Sequence, residues 1–381
     1  MDFAFTDEQE LLRSQARSFL AERRSLEAVA EREGSFEPGS WQELAELGWT
    51  GVSVSEEEGG AGLGFLEEAV IFEELGRVLY PGPYFSTIAL ALPALAGHAA
   101  LLQRVAAGEL TATLAHAEAA GPRRLADTGG LATEARQDGA AWTLAGEKVL
   151  VPDLGSAGTV VVTARSGGGV GLWSVEGGAR EPVETMDSTR PYGVLRLDGA
   201  PASLLVEPGS GEEALAQIRT RALAALALEA VGVGEAANAL AIEHASSREQ
   251  FGRAIGVYQA VSHSVVDGYV GVELARSLAY WAAWCVAEGD EQAAVAAAAA
   301  KAHAAEAAVA ACERSIQVHG GIGFTWEHVL HRLYKRAQWI QAFEGFAPVL
   351  RREVASALLD VSEEESTELV QQETPVQQEV A

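Results

Sequence analysis

Cysteine, lysine and methionine are all scarce in this chain of 381 residues. Cys285 and Cys312 are too few for a disulfide framework, and both fall in segments that read as helix. The expectation is a reduced, cytoplasmic protein. Positive charge is short as well. There are 27 Lys+Arg against 54 Asp+Glu, a formal charge of −27, and the lysines are Lys148, Lys301 and Lys335 alone. Nucleic acid and anionic membrane are therefore not expected partners, because both need clustered Lys and Arg. The opening MDFAFTDEQE has no basic n-region and no apolar h-region, so no leader is expected. The most apolar helical stretch, ALAALALEAVGVGEAANALA, is interrupted by Glu229 and Glu235. No run is read as reaching the ~20 apolar residues of a membrane span. G-x-G-x-x-G, the P-loop, G-x-S-x-G and H-E-x-x-H are all missing. His328 and His331, three apart, lack a third ligand nearby, so no metal site is expected.

At roughly 150 residues per domain, the length predicts two or three domains. Residues 1–110 read as a helical domain, opened by a capping box at Thr6 and Gln9. Residues 111–208 change texture to short β-branched runs punctuated by Gly, Asp and Pro, which predicts a small antiparallel β-barrel. Residues 209–360 return to long helices, predicting a four-helix bundle, and 361–381 form an acidic, Gln-rich tail expected to be disordered. The fold class is α+β, mainly α, without the alternation of a Rossmann chain.

Two segments stand out chemically. The first runs Arg248-Glu249-Gln250-Phe251-Gly252-Arg253-Ala254-Ile255-Gly256-Val257-Tyr258-Gln259. The second is Gln317-Val318-His319-Gly320-Gly321-Ile322-Gly323-Phe324. Arg248 offers a forked donor suited to a pyrophosphate, Phe251 an aromatic face, and the glycine pair room for close approach. Taken singly, each segment is equally a charged helix end followed by a glycine cap.

Together and in this order they resemble R-x-Q-F-G-R-x-I-G-x-x-Q and Q-x-x-G-G-x-G-F of the acyl-CoA dehydrogenase family. The stretches GWTGVSVSEEEGGAGLG, VIFEELGRVL and FTWEHVLHRLYKRAQ also resemble that family, so the likeness covers about residues 1–360. It implies a helix–barrel–helix fold, FAD, and α,β-dehydrogenation of a CoA thioester. The implied FAD contacts are Arg248, Gln250, Phe251, Ile255, Tyr258, Gln259, Gln317, Val318, Gly320 and Gly321. In the family they touch the ADP part of a cofactor held mainly by a neighbouring subunit. Electron-transferring flavoprotein is the implied acceptor.

The other half of the family's site departs from the pattern. Where T-E-P-x-x-G-S-D is usual, this chain has Leu114-Ala115-His116-Ala117-Glu118-Ala119-Ala120-Gly121-Pro122. After Trp142-Thr143-Leu144-Ala145-Gly146-Glu147-Lys148, the usual W-I-S/T-N is Val149-Leu150-Val151-Pro152. Phe343-Glu344-Gly345-Phe346-Ala347-Pro348 resembles Y-E-G-T-S-Q, which makes Glu344 the candidate catalytic base. Asp267, in His263-Ser264-Val265-Val266-Asp267, resembles the acidic end of a helix-borne pattern and is an alternative. Arg221, offset from the usual T-R-P, is a doubtful CoA contact. Small residues along 221–242 are read as permitting a wide cavity.

An intact trans half and an eroded cis half are expected of one partner in a heteromeric enzyme, and the chain resembles one subunit of the actinobacterial α2β2 acyl-CoA dehydrogenases that act on steroid side-chain CoA thioesters, which implies a paralogous partner subunit. Two alternatives stand beside it: a self-sufficient homotetramer with Glu344 as base, and a flavin-free scaffold or CoA-thioester-binding protein.

Overall fold

The computed structural model describes residues 5–32 and 35–359, so the expected acidic tail lies outside the described residues. Thr6 caps α1 (Asp7–Arg23) reciprocally. Its hydroxyl accepts the Gln9 amide at 3.2 Å, and the Gln9 side chain accepts the Thr6 amide at 3.1 Å. α2 (Leu26–Glu31) and α3 (Pro38–Glu46) lead to α4 (Phe65–Arg77), most of which is buried. A π-helical segment follows at Phe85–Ala91, tightening to 3-10 geometry at Pro93, before α5 (Ala99–Ala106).

The middle of the chain forms seven strands: β1 (Ala112–Ala115), β2 (Glu134–Asp138), β3 (Ala141–Pro152), β4 (Thr159–Ser166), β5 (Gly169–Val175), β6 (Ala179–Val183) and β7 (Tyr192–Val206). The order β4-β2-β3-β7-β5 closes on itself through β4–β5 pairing, while β1 adds to β4 and β6 to β7. Inside it, Leu144, Val160, Val162, Trp173 and Leu195 make a separate core. β3 is bulged between Lys148 and Val151, with Leu150 at φ 51°. The bulge re-aims Leu150 out of the ladder, towards the helical domains.

α6 (Gly211–Ser247), α7 (Gln259–Glu288) and α8 (Ala293–His319) are the long helices of the C-terminal bundle, completed by α9 (Leu330–Ala342) and α10 (Ala347–Leu359). A two-residue hairpin, β8 (Glu249–Gln250) and β9 (Arg253–Ala254), joins α6 to α7. The helix–barrel–helix fold class read from the sequence is what the structure has.

One expectation is corrected and another is narrowed. α6 and Ala293–Phe324 are long and apolar enough to cross a bilayer, with mean hydropathies of 1.4 and 1.2. Their apolar stretches are 78% and 67% buried inside the protein, so here they are core helices. Within 221–242, Glu235, Asn238, Ala239 and Ile242 border a cleft of about 400 Å3, but Gly232 serves packing. A Cβ on Gly232 would fall 2.0 Å from the Glu73 carbonyl, and one on Gly76 2.3 Å from the Glu229 carbonyl. Those glycines let α4 and α6 cross in backbone contact.

Candidate functional site

A cavity of about 410 Å3 lies where the barrel meets the bundle. Each domain contributes to its wall. Leu90 comes from the π-helical segment, Leu114 from β1, Leu150 and Pro152 from the bulged end of β3, and Tyr192 from β7. Trp339, Phe343 and Glu344 come from α9 and the turn behind it. Trp339 and Phe343 stack at 5.1 Å, and the Phe85 ring meets both edge-on. Arg190 sits 4.7 Å over Trp339 and pairs with buried Glu229 at 2.6 Å. Glu229 also pairs with Arg336, which reaches Asp187 at 2.7 Å. This buried charge group ties the barrel to α6 and α9.

Glu344 lines the cavity, but its oxygens are engaged by its own chain. Oε1 accepts the Leu125 backbone N–H at 2.8 Å, and Oε2 accepts Arg219 Nε at 3.0 Å. Burial pushes the carboxyl above its ordinary range, while the Leu125 amide and Arg219 oppose that. The residue adopts φ 59°, a left-handed conformation that is uncommon outside glycine. Arg123, Arg124 and Leu125 belong to the loop between β1 and β2, and all three border the cavity.

Glu118, the glutamate matching the family's eroded strand motif, points elsewhere. It accepts Lys148 Nζ at 2.7 Å, the Thr133 hydroxyl at 2.6 Å and the Ala132 amide at 2.6 Å. Burial alone would raise its pKa, but Lys148, Thr133 and Ala132 hold it at about 2. Burial and then Lys148 push nearby His116 down to about 4, so it is neutral at pH 7. Among the described residues, no Ser or Thr side chain borders the cavity.

The two motif segments come together on a different surface. α6 packs along α8, which stacks the His244 ring on His319 at 4.3 Å, and His328 meets His319 at 4.6 Å. Phe251 (φ 53°) and Gly252 (φ 78°) turn the β8–β9 hairpin, a turn that needs positive φ at both positions. A bulky residue there is strained, and Phe251 is 90% exposed. Arg248, Gln250, Gln259, Gln317, Gly320 and Gly321 are exposed, while Ile255, Tyr258 and Val318 are half-buried. A Cβ at Gly320 or Gly321 would meet nothing within 4 Å. This face can take the phosphate-bearing part of FAD: an unburied guanidinium, amide donors, an aromatic ring and open backbone. In the cavity, by contrast, the Leu125 amide is already taken by Glu344 and is not free to donate to a flavin ring.

Three further residues singled out in the sequence are placed as follows. Asp267 is exposed on α7 and does not border the cavity, so the alternative base is set aside. Arg221 pairs with buried Glu68 and donates to the Ser53 hydroxyl (3.1 Å) and the Ile88 carbonyl (3.3 Å), beside a second cleft of about 860 Å3. His328 precedes α9 and packs its ring, tilted by 57°, against His319 instead of sharing a helix face with His331. Among the described residues no group of three or more His, Cys, Asp or Glu is placed to hold a metal. Arg219, Leu125 and Lys301 were not singled out in the sequence. A lone lysine in the alanine-rich stretch of α8 was the one local sign.

Residues 6–109 match the acyl-CoA dehydrogenase N-terminal domain, and residues 214–359 match the acyl-CoA dehydrogenase C-terminal domain. The chain is 33% identical to acyl-CoA dehydrogenase IpdE2 of Mycobacterium tuberculosis, over 91% of this chain and 96% of that one. Butyryl-CoA dehydrogenase from Megasphaera elsdenii superposes with a TM-score of 0.87 at 27% identity, covering 94% of this chain and all of the other. A chain of the ChsE4–ChsE5 complex from Mycobacterium tuberculosis superposes with a TM-score of 0.83 at 27% identity, covering 95% and 100%. The chain belongs to the acyl-CoA dehydrogenase family, oxidoreductases that use FAD to dehydrogenate CoA thioesters.

Proposed function

We propose that this chain is a partner subunit of a heteromeric acyl-CoA dehydrogenase. It completes the ADP part of an FAD site whose flavin ring and base belong to a paralogous chain. The observation that carries this reading is Glu344, the aligned base, which its own chain occupies through Leu125 and Arg219. A general base needs a free oxygen within reach of the proton it removes. FAD, when bound, supplies the hydride acceptor. Arg248 would hold its pyrophosphate, Gln250 and Gln317 would offer amide donors, and Gly320 and Gly321 would admit close approach. The likeness to a chain of a two-protein complex agrees with a heteromer. A steroid side-chain CoA thioester is the proposed substrate, and electron-transferring flavoprotein the proposed acceptor.

One observation favours a self-sufficient homotetramer instead. Glu344 does border the cavity, and its pKa is raised, as a working base requires. Flavin content separates the two readings. A lone chain that purifies with stoichiometric FAD and loses activity in Glu344→Gln supports the homotetramer. A lone chain without flavin, yielding flavoprotein only on co-expression with its paralogue, supports the heteromer.

A further inference from the structure

Lys301 is fully buried in α8, and its ammonium faces the end of α9. Nζ donates to the Gln341 carbonyl at 3.0 Å, the Phe343 carbonyl at 2.7 Å and the Gly345 carbonyl at 2.6 Å. Three N–H donors thus meet three carbonyls. Helix C-termini leave carbonyls without intrahelical partners and carry partial negative charge, so a cation from a neighbouring helix answers both. Glu344 lies between two of the clamped carbonyls, in its left-handed conformation. Its direction into the cavity is therefore set from below by Lys301.

Above the turn the contacts form a closed circuit. Leu125 donates to Glu344 at 2.8 Å, and Arg219 Nε to Glu344 at 3.0 Å. Arg219 Nη2 reaches Glu353 at 2.7 Å, and Glu353 accepts Arg124 Nη1 at 2.9 Å. Arg124 adjoins Leu125, so the circuit returns to its start. It joins the β1–β2 loop, the turn after α9, α6 and α10. Farther along, the loop is tied down by Thr128 donating to Glu212 at 2.9 Å and by His116 Nε2 against the Asp127 carbonyl at 2.9 Å.

We propose that this circuit is an interdomain lock. Lys301 positions Glu344, and Glu344, Arg219 and Glu353 hold residues 119–131 closed against the cavity. The inference rests on the reading that Glu344 is not this chain's base. A carboxylate relieved of catalysis takes both donors permanently and fastens the barrel to the bundle. Access to the cavity then depends on whether the lock is shut.

The Leu125 amide reports the lock directly, because its hydrogen bond ends on Glu344. Its exchange with solvent deuterium is measured in the full chain without flavin, for wild type, Glu353→Gln and Lys301→Gln. Both substitutions are expected to speed Leu125 exchange at least tenfold while the Leu226 and Leu228 amides of α6 stay as protected as in wild type. Unchanged Leu125 protection in Glu353→Gln overturns the lock. Acceleration shared equally by Leu226 and Leu228 in Lys301→Gln overturns the positioning role and leaves Lys301 as a general stability residue. If Lys301→Gln does not fold, Arg124→Gln joins Glu353→Gln in the same comparison. A lone chain that purifies with stoichiometric FAD would remove the partner-subunit reading, yet the flavin-free exchange measurement would still decide the lock.

Discussion

Arg219 Nε lies 3.0 Å from Glu344 Oε2, so the carboxylate aligned with the family's base is half of an ion pair inside its own chain. The guanidinium is only 13% exposed and the carboxylate 3%. Removing the cation leaves a buried charge that retains just the Leu125 amide. Arg219→Ala is expected to cost about 3 kcal/mol at pH 7, the lower end for breaking a buried pair. The sign with pH follows from the raised pKa. The folded state holds the Glu344 proton more tightly than the unfolded chain, so stability falls as pH rises through the folded pKa. The Arg219→Ala penalty should therefore shrink on acidification, as urea unfolding at pH 7 and pH 5 will read.

Glu118 and Lys148 behave in the opposite sense. Glu118 is held at about 2, below the ~4.3 of an unperturbed glutamate. Its stabilisation is present above the unfolded value and lost as pH falls through about 2. Lys148→Met alone should cost about 3–5 kcal/mol by stranding the carboxylate. The double variant Lys148→Met/Glu118→Gln should recover a large part of that. A double-mutant cycle in urea measures the coupling, and additive losses would remove the pair as a unit.

Two glycines should separate packing from function. Gly232→Ala drives a methyl to 2.0 Å from the Glu73 carbonyl, so about 3 kcal/mol should be lost and the melting temperature should fall. Gly321→Ala meets nothing within 4 Å and should shift stability by less than about 0.5 kcal/mol. On the proposed assignment, Gly321→Ala nevertheless weakens flavin retention in the assembled enzyme, by crowding the ADP face. Thermal melts and flavin content of the co-purified complex test the two together.

Arg248 is exposed, so Arg248→Ala should leave the lone chain's stability within about 0.5 kcal/mol of wild type. Its loss should lower FAD affinity of the assembled enzyme at least tenfold, about 1.4 kcal/mol, as expected for a charge-assisted contact to phosphate. Affinity follows from titrating stripped complex with FAD. Unaltered affinity would remove Arg248 from the site.

What the sequence revealed was what short-range chemistry encodes. The change from helical period to β-branched runs near residue 111 marked the barrel, and Thr6 with Gln9 marked the start of α1. The face proposed for the ADP part of FAD was conspicuous because much of it lies in one contiguous stretch around the hairpin between α6 and α7. Glu344 could be found by likeness, but its condition could not. Its partners lie 219 residues away at Leu125 and 125 residues away at Arg219, and no local pattern records such contacts. Gly232 of α6 shows a related limit. A small residue reads the same whether a ligand or the backbone of α4 fills the space beside it.

The most direct test of the partner-subunit account is the ratio of flavin to chain, read from flavin absorbance after purification alone and after co-expression with the paralogue. The account predicts a lone chain essentially free of flavin and a complex holding one FAD for every two chains. One FAD per chain in the lone protein would contradict it.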